Sequence, residues 1–226
     1  KNFFILKKKI KGKKILITAG PTIEAIDAVR YLSNFSSGKQ GYEIANCAYT
    51  YGAETILITG PTNIEAPEVN KIIKVESAEQ MFNESMNICK KYGSIDIAFL
   101  TAAVSDWKIN KTEKKYKKNE NIFKQIKFTE NKDILHMISN LKKSRPKIVC
   151  GFAAETSSLI NNARKKLINK NCDFIFANKI SKKFNPMGND FNEISVIGKN
   201  NQKKWRKMTK KKIAEKIIHE VSLYLN

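Results

Sequence analysis

Four segments carry residue types and spacings suited to chemistry. Ser36-Ser37-Gly38 stands directly before a stretch of helical periodicity, where hydroxyl caps and free backbone N–H groups suit an anion. Ordinary helix capping accounts for the same three residues. Arg30 and Asn34 lie four apart, so in a helical turn they would share a face. Leu100-Thr101-Ala102-Ala103-Val104-Ser105-Asp106-Trp107 places small residues at the end of an apolar run, which lets a planar ring approach the backbone and leads Asp106 into the same cleft. A turn aspartate beside a core tryptophan fits that segment as well. Lys115-Tyr116-Lys117-Lys118 lies in a basic stretch that could close over phosphates and stabilise charge in a phosphoryl or nucleotidyl transfer. Gly151-Phe152-Ala153-Ala154-Glu155-Thr156 is followed by Lys166 and Lys170, an i,i+4 pair of like charges that repel. A polyphosphate between them would relieve the repulsion, and so would solvent.

Positioning these residues falls to an alternation of strands and helices. Apolar runs predict strands at Ile15–Thr18, Thr55–Thr59, Lys71–Val75, Asp96–Val104, Lys147–Phe152, Asp173–Ala177 and Glu193–Ile197. Helical periodicity predicts helices at Gln40–Tyr51, Ala78–Tyr92, Asp133–Asn140, Ser158–Asn169 and Thr209–Leu225. This order gives an α/β fold: a doubly wound, mostly parallel Rossmann-like sheet covered on both faces. Two stretches break the order. A long polar loop runs to about Ser37, and the charged stretch Lys108–Glu130 holds one alternating segment, Ile122–Phe128. No internal repeat or long linker is present, so residues 1–226 read as a single domain with an extended basic lead-in over 1–12. The chain begins at Lys1, as a fragment of a longer polypeptide would. In such a sheet, ligands bind beyond the carboxyl ends of the strands. That directs attention to the loops 19–41, 60–70, 102–130, 152–157 and 178–192.

The net charge of +21 suggests a nucleic-acid binder. Against this, 38 of the 42 basic residues are Lys and only four are Arg, the residue that reads phosphate and guanine bidentately. With 23 Asn beside them, the lysines read as codon bias on a solvated surface. The charge is also uneven: residues 15–106 carry a net −5 and residues 107–226 a net +19. The four cysteines, Cys47, Cys89, Cys150 and Cys172, are far apart in apolar contexts, as expected of buried free thiols in a reducing cytoplasm. Two histidines, His136 and His219, on separate helices give little support to a zinc site or a His-based triad. No apolar run approaches the ~18 residues of a membrane span. A nicotinamide-dependent oxidoreductase on the same sheet would need GxGxxG after the first strand, and Gly20 to Gly41 lacks it.

Taken together and in order, several stretches resemble phosphopantothenoylcysteine synthetase of the bacterial, CTP-using type, often the C-terminal half of a bifunctional coenzyme A biosynthesis flavoprotein. These are Ile17–Thr22, Asp27–Lys39, Ala102–Trp107, Lys115–Lys118, Lys132–Leu135, Gly151–Thr156 and Lys170–Asn178. The resemblance implies that 4'-phosphopantothenate is activated by CTP to an acyl-cytidylate and then coupled to L-cysteine with release of CMP. It implies that Lys115 stabilises cytidylate formation, that Asn34 holds the acyl-cytidylate and that Arg30 supports the phosphopantothenate site. Leu100, Thr101, Ala102, Asp106, Lys132, Asp133, Ile134, Leu135 and Phe152 would line the CTP pocket, with Lys166 and Lys170 on its phosphates. Mg²⁺ is expected with the triphosphate, with no ligands assigned, and no flavin is expected on this chain. A homodimer is implied, with the segment near 122–128 extending a sheet across the interface. A fused or associated phosphopantothenoylcysteine decarboxylase half is a further implied partner, and neither membrane nor nucleic acid is. Lys132 stands where the family pattern has Pro, and Ser105 where Ala is common.

Overall fold

A computed structural model describes residues 8–110, 115, 117, 126–181 and 184–225. In chain order the strands are β1 (Lys14–Ala19), β2 (Ile23–Ala25), β3 (Tyr31–Ser33), β4 (Glu54–Thr59), β5 (Lys71–Lys74), β6 (Ile97–Leu100), β7 (Trp107–Ile109), β8 (Phe128–Glu130), β9 (Ile148–Glu155), β10 (Phe174–Lys179), β11 (Phe191–Gly198) and β12 (Gln202–Thr209). The helices are α1 (Lys39–Thr50), α2 (Ala78–Tyr92), α3 (Ile134–Ser139), α4 (Leu159–Lys170) and α5 (Lys210–Ser222). Eight strands form the main sheet in the order β12-β11-β10-β9-β6-β1-β4-β5. From β9 through β5, and between β10 and β9, all pairs are parallel, while β11 and β12 add an antiparallel edge. The doubly wound, mostly parallel sheet expected from the sequence is therefore what forms.

Alternation along the strands builds two apolar layers. In β1, Ile15 and Ile17 join one layer with Tyr42, Ile44 and Ala48 of α1 and Ile213, Ile217 and Val221 of α5. Leu16 between them joins the other layer, with Met81 and Phe82 of α2, Ile134 and Ile138 of α3 and Leu167 of α4. Burial on both faces is what the all-apolar runs encode. α2 has the clearest local signals. Ser77 and Gln80 form a reciprocal capping box, and Gly93 closes the helix in the left-handed conformation, φ 61°. Ile10 is fully buried in the first layer and residues 8–10 are helical, so the described end of the lead-in, residues 8–12, packs onto the core rather than extending from it; residues 1–7 lie outside the described residues.

Several sequence expectations are corrected here. The polar loop before Ser37 contains a hairpin, β2–β3, whose residues were too few to register as strands. Arg30 and Asn34 flank β3 in extended chain, so they do not share a helical face. β6 ends at Leu100 rather than Val104, because the next residues leave the sheet to pair with the loop after β1. β12 was missed because only Trp205 of its central Lys203-Lys204-Trp205-Arg206-Lys207 faces the core, leaving no apolar run. Residues 122–125 lie outside the described residues. Phe128, at the end of that segment, belongs to β8 and pairs with Ile109 of β7 in a second hairpin-like ribbon.

From β1 the chain moves outward to β4 and β5, then returns to β6 on the other side of β1. This reversal opens a crevice at the carboxyl ends of β1 and β6, where open α/β sheets hold ligands. Gly60, at the end of β4, meets the loop after β1 so closely that a Cβ there would lie 1.7 Å from the Pro21 carbonyl oxygen. Since the obstacle is backbone, Gly60→Ala should destabilise the fold by about 3 kcal/mol, read as a lowered urea midpoint with an unchanged slope.

Candidate active site

Beyond the sheet, the loops after β1 and β6 continue the pairing of their strands. Thr101 donates its N–H to the Thr18 carbonyl at 3.1 Å, and its hydroxyl donates to the same oxygen at 2.5 Å. Ala103 N–H donates to Gly20 O at 2.9 Å, and Thr22 N–H donates to Ala103 O at 3.3 Å. Ser105 N–H donates to the Thr22 hydroxyl at 2.9 Å. Asn34 of the β2–β3 hairpin then donates its side-chain amide to Ala103 O at 3.0 Å, tying the hairpin to the small-residue loop. Asn131 closes the far side, donating its side chain to Ser105 O and its N–H to Asp106 O.

Two adjoining cavities sit on this platform. The first, about 460 Å³, has Thr18, Leu100, Ala102 and Phe152 at the strand ends. Its walls are Asp106, Glu130, Lys132, Asp133, Ile134 and Leu135, with Lys166 and Lys170 of α4. The second, about 310 Å³, runs along Asn34, Ser36, Ser37 and the start of α1, with Thr101, Ala103, Asn178, Asn192 and Lys210. Ala102, Val104, Asp106, Phe152 and Lys166 line both, so these residues mark the boundary.

The structure gathers ten of the sequence-derived residues in the first cavity: Leu100, Ala102, Asp106, Lys132, Asp133, Ile134, Leu135, Phe152, Lys166 and Lys170. Thr101 and Asn34 line the second instead. Arg30 lines neither. Its Nε donates to the Asp27 carboxylate at 3.0 Å and its Nη2 pairs with the same group, whose other oxygen accepts the N–H groups of Val29 and Arg30 at 2.8 Å. Asp27 is thus a buried clamp on an exposed guanidinium. Lys115 is exposed and also lines neither cavity, and most of the basic stretch around it lies outside the described residues.

Charge in the first cavity is already partly paired. Lys170 Nζ lies 2.6 Å from the Asp133 carboxylate, and Lys166 Nζ donates to Phe152 O at 3.0 Å. The expected repulsion between these two lysines is therefore offset by acceptors within the fold. Lys132 rests its ammonium 4.5 Å from the centre of the Phe82 ring. Asp133 caps α3 by accepting His136 N–H at 2.7 Å. Burial alone would raise its pKa, but the hydrogen bonds from Lys170 and His136 and the charges of Lys170 and Lys166 outweigh that, and it lies below the usual carboxylate range. The thiols behave oppositely. All four cysteines are buried, and burial pushes Cys47 and Cys172 up to about 12 and Cys89 to about 11. None of them is a thiolate nucleophile at neutral pH.

Sequence reasoning missed two residues. Asp27 has no role until the fold shows its hydrogen bonds to Val29 N–H and to the backbone and guanidinium of Arg30. Lys210 is hidden among 38 lysines, although lysine in the first turn of a helix opposes the helix dipole.

The sheet and its paired cavities define a doubly wound α/β domain with its ligand crevice at the switch point. Residues 10–224 match the DNA/pantothenate metabolism flavoprotein C-terminal domain family, and the chain belongs to it. It is 41% identical over 219 residues to the coenzyme A biosynthesis bifunctional protein CoaBC of Borreliella burgdorferi, covering 96% of this chain and 54% of that protein. It is 39% identical over 223 residues to the Haemophilus influenzae CoaBC, covering 97% and 54%. The chain thus spans about half the length of these relatives. A crystal structure of the C-terminal domain of CoaBC superposes with a TM-score of 0.79 at 34% identity, covering 96% of this chain and 97% of that one.

Asp133→Ala removes both the α3 cap and the partner of Lys170. It should lower stability by about 1 kcal/mol at pH 7. Because the folded pKa is depressed, the wild-type advantage is present above about pH 4 and is lost as pH falls through the lower folded value. Urea unfolding of both proteins at pH 7 and pH 3 tests this.

Proposed function

We propose that the chain is a phosphopantothenate–cysteine ligase of coenzyme A biosynthesis that uses CTP. The observation that carries this reading is the pair of adjoining cavities with a shared wall at Ala102, Asp106, Phe152 and Lys166. A two-substrate activation needs two seats that meet where the reacting atoms meet. The relatives named for coenzyme A biosynthesis supply the substrate class.

In this reading CTP occupies the first cavity. Its base lies on the strand ends at Leu100, Ala102 and Phe152, beside Lys132, Asp133, Ile134 and Leu135, and its phosphates lie toward Lys166 and Lys170. The phosphorylated acid occupies the second cavity, along Asn34 and Thr101. A carboxylate oxygen of 4'-phosphopantothenate attacks the α-phosphorus at the shared wall, the bond to the β-phosphate oxygen breaks, and pyrophosphate leaves. The amine of L-cysteine then attacks the acyl carbon and loses a proton, and the carbon–oxygen bond to CMP breaks. Asn34, already anchored to Ala103 O, presents its amide carbonyl to the acyl-cytidylate. Lys115 brings an ammonium to the phosphates as charge develops. Arg30, held by Asp27, supports the phosphopantothenate end.

Among the described residues no three His, Cys, Asp or Glu side chains group as a metal site. Asp106 and Glu130 are carboxylates on the first cavity without a lysine partner among the described residues. That donor set suits Mg²⁺ arriving on the triphosphate with mostly phosphate and water ligands, where it would neutralise charge on the leaving pyrophosphate. A homodimer fits the exposed apolar residues of the β2–β3 hairpin, Val29, Tyr31 and Phe35, the last 91% exposed. The fused flavoprotein half of the relatives would carry the decarboxylase chemistry. No helix among the described residues is long and apolar enough to cross a membrane, and four unpaired thiols suit the cytoplasm.

The deciding measurement is pyrophosphate release from CTP that requires 4'-phosphopantothenate, followed by CMP release that requires cysteine, with ATP run in parallel. A folded protein without this turnover would refute the ligase reading, and equal rates with ATP would refute the choice of CTP. Lys115→Gln should lower the rate of pyrophosphate release by about 100-fold or more with little change in the unfolding midpoint. Phe35→Asp should shift the mass in light scattering from dimer toward monomer.

A further inference from the structure

The β2–β3 hairpin carries Asn34, yet its size alone does not hold it in place. Two paired strands of three residues are marginal as a free unit. Val29, Tyr31 and Phe35 face solvent rather than the core, so polar attachments share in fixing the hairpin's pose. At the inner end, Asn34 and Thr22 tie it to the crevice. On the outer side it reaches the start of α2. Ile23 N–H donates to Glu76 O at 2.8 Å, and the Glu24 carboxylate accepts Ala78 N–H at 2.9 Å.

A glutamate is an uncommon choice for that contact. Glu24 is the central residue of β2, 6% exposed, and lines neither cavity. The other buried glutamate, Glu220, is neutralised by Lys203 at 2.6 Å. Glu24 has no basic partner among the described residues, and a buried carboxylate without a cation is unfavourable. The start of a helix compensates. Ala78 is the first residue of the 15-residue α2, where amides lack intrahelical acceptors and the dipole favours an anion. The helix's own capping box serves the amides of Ser77 and Gln80, and Gln80 Oε1 also accepts Glu76 N–H at 2.7 Å. The Ala78 amide falls to Glu24. No residue of α2 lines either cavity, so this contact can act on a ligand only through the hairpin.

From Glu24 to Asn34 the path is short. Glu24 pairs with Leu32 and Ile23 with Ser33. Ser33 donates its hydroxyl to Thr22 O at 2.8 Å, and Asn34 follows. The Asn34 amide nitrogen is committed to Ala103 O, so the place of its carbonyl depends on the angle at which the hairpin meets the small-residue loop. We infer that Glu24 is a positioning residue: seated on the start of α2, it sets the angle of the β2–β3 hairpin and with it the place of the Asn34 carbonyl during transfer of the acyl group to the amine. A displacement of about 1 Å at such a group is worth about 100-fold in rate. The inference rests on the ligase reading for the reaction and for the role of Asn34, and it adds to that reading a residue that touches no ligand.

Single-turnover reactions of the wild-type chain, Glu24→Gln, Glu24→Asp, Glu24→Ala and Asn34→Ala with CTP, 4'-phosphopantothenate and L-cysteine test this. Pyrophosphate and CMP are measured separately, and hydrogen exchange over residues 31–34 reads the hairpin directly. Glu24→Ala should slow CMP release by about 100-fold, as Asn34→Ala should, while pyrophosphate release stays within about threefold and the acyl-cytidylate accumulates. Glu24→Asp keeps the charge but is one methylene too short, and should be as slow as Glu24→Ala. Glu24→Gln keeps a carbonyl oxygen at the same reach, and should bring CMP release to within about tenfold of the wild type. Exchange over 31–34 should quicken in Glu24→Ala and Glu24→Asp but not in Glu24→Gln. Equal losses of pyrophosphate and CMP release, the mark of a merely structural role, would overturn the inference. So would unchanged CMP release in Glu24→Ala or Asn34→Ala, or a Glu24→Gln no faster than Glu24→Ala. Unchanged exchange over 31–34 would overturn the anchor whatever the turnover. A wild type that releases no pyrophosphate from CTP, with exchange quickened in Glu24→Ala, would refute the ligase reading and leave the anchor standing.

Discussion

The pairing of β1 with β6 does not stop where the sheet stops. Backbone bonds from Thr101 to Thr18, from Ala103 to Gly20 and from Thr22 to Ala103 carry it into the two loops, and Pro21 and Ala103 form a further parallel bridge. Three parts of the crevice are tied to this extension. The β2–β3 hairpin is tied to it through Asn34, the Asp106 turn through Thr22 and Asn131, and α1 by the close approach of Gly41 to Ala19 and Thr101. Loops are ordinarily the mobile part of such a fold. Here the two that matter inherit the rigidity of the strands that feed them, so two cavities keep a common wall.

That rigidity is matched by a graded placement of charge. Lys170 and Lys166 are held by Asp133 and by Phe152 O, yet each still faces the first cavity. An ammonium that keeps one protein acceptor retains donors for a phosphate and does not collapse when the ligand leaves. Lys210 is the opposite case, buried and, among the described residues, without a side-chain partner. Asp27 provides a third arrangement, a carboxylate enclosed by its own turn that fixes an exposed guanidinium. Four basic residues of the same formal charge thus fall into three arrangements that differ in what the fold asks of them.

The parts of this legible in the sequence were those written as patterns. Apolar runs locate seven strands of the main sheet: six are largely buried, which demands that composition, and the exposed edge strand β5 shows through its central Ile72-Ile73. The helices followed from period and caps, within one or two residues at α1, α2 and α4. The loops lining the crevice could be named before the structure because a parallel sheet has only one end at which ligands bind. What could not be read was written in single residues. β12 places one tryptophan inward and lysines elsewhere, and a chain with 38 lysines gives no reason to single out Lys210. The four-residue spacing of Arg30 and Asn34 would put them on one face only in a helical turn, whereas the short pairings of Ile23–Ala25 with Tyr31–Ser33 put them in extended chain. Three-residue strands are held by their neighbours, not by propensity, and so leave little trace in composition.

Both margins of the main sheet are lysine-bearing. β12 turns Lys203, Lys204, Arg206 and Lys207 outward, and β5 begins and ends on Lys71 and Lys74. An open strand margin invites a further strand from any chain that drifts past, and a row of ammonium groups makes such an addition unfavourable. Copies of this chain bear the same charge at the same margins and so repel one another there. The lysine surplus, most of it remote from the crevice, thereby disfavours edge-to-edge addition of one copy of the sheet to another.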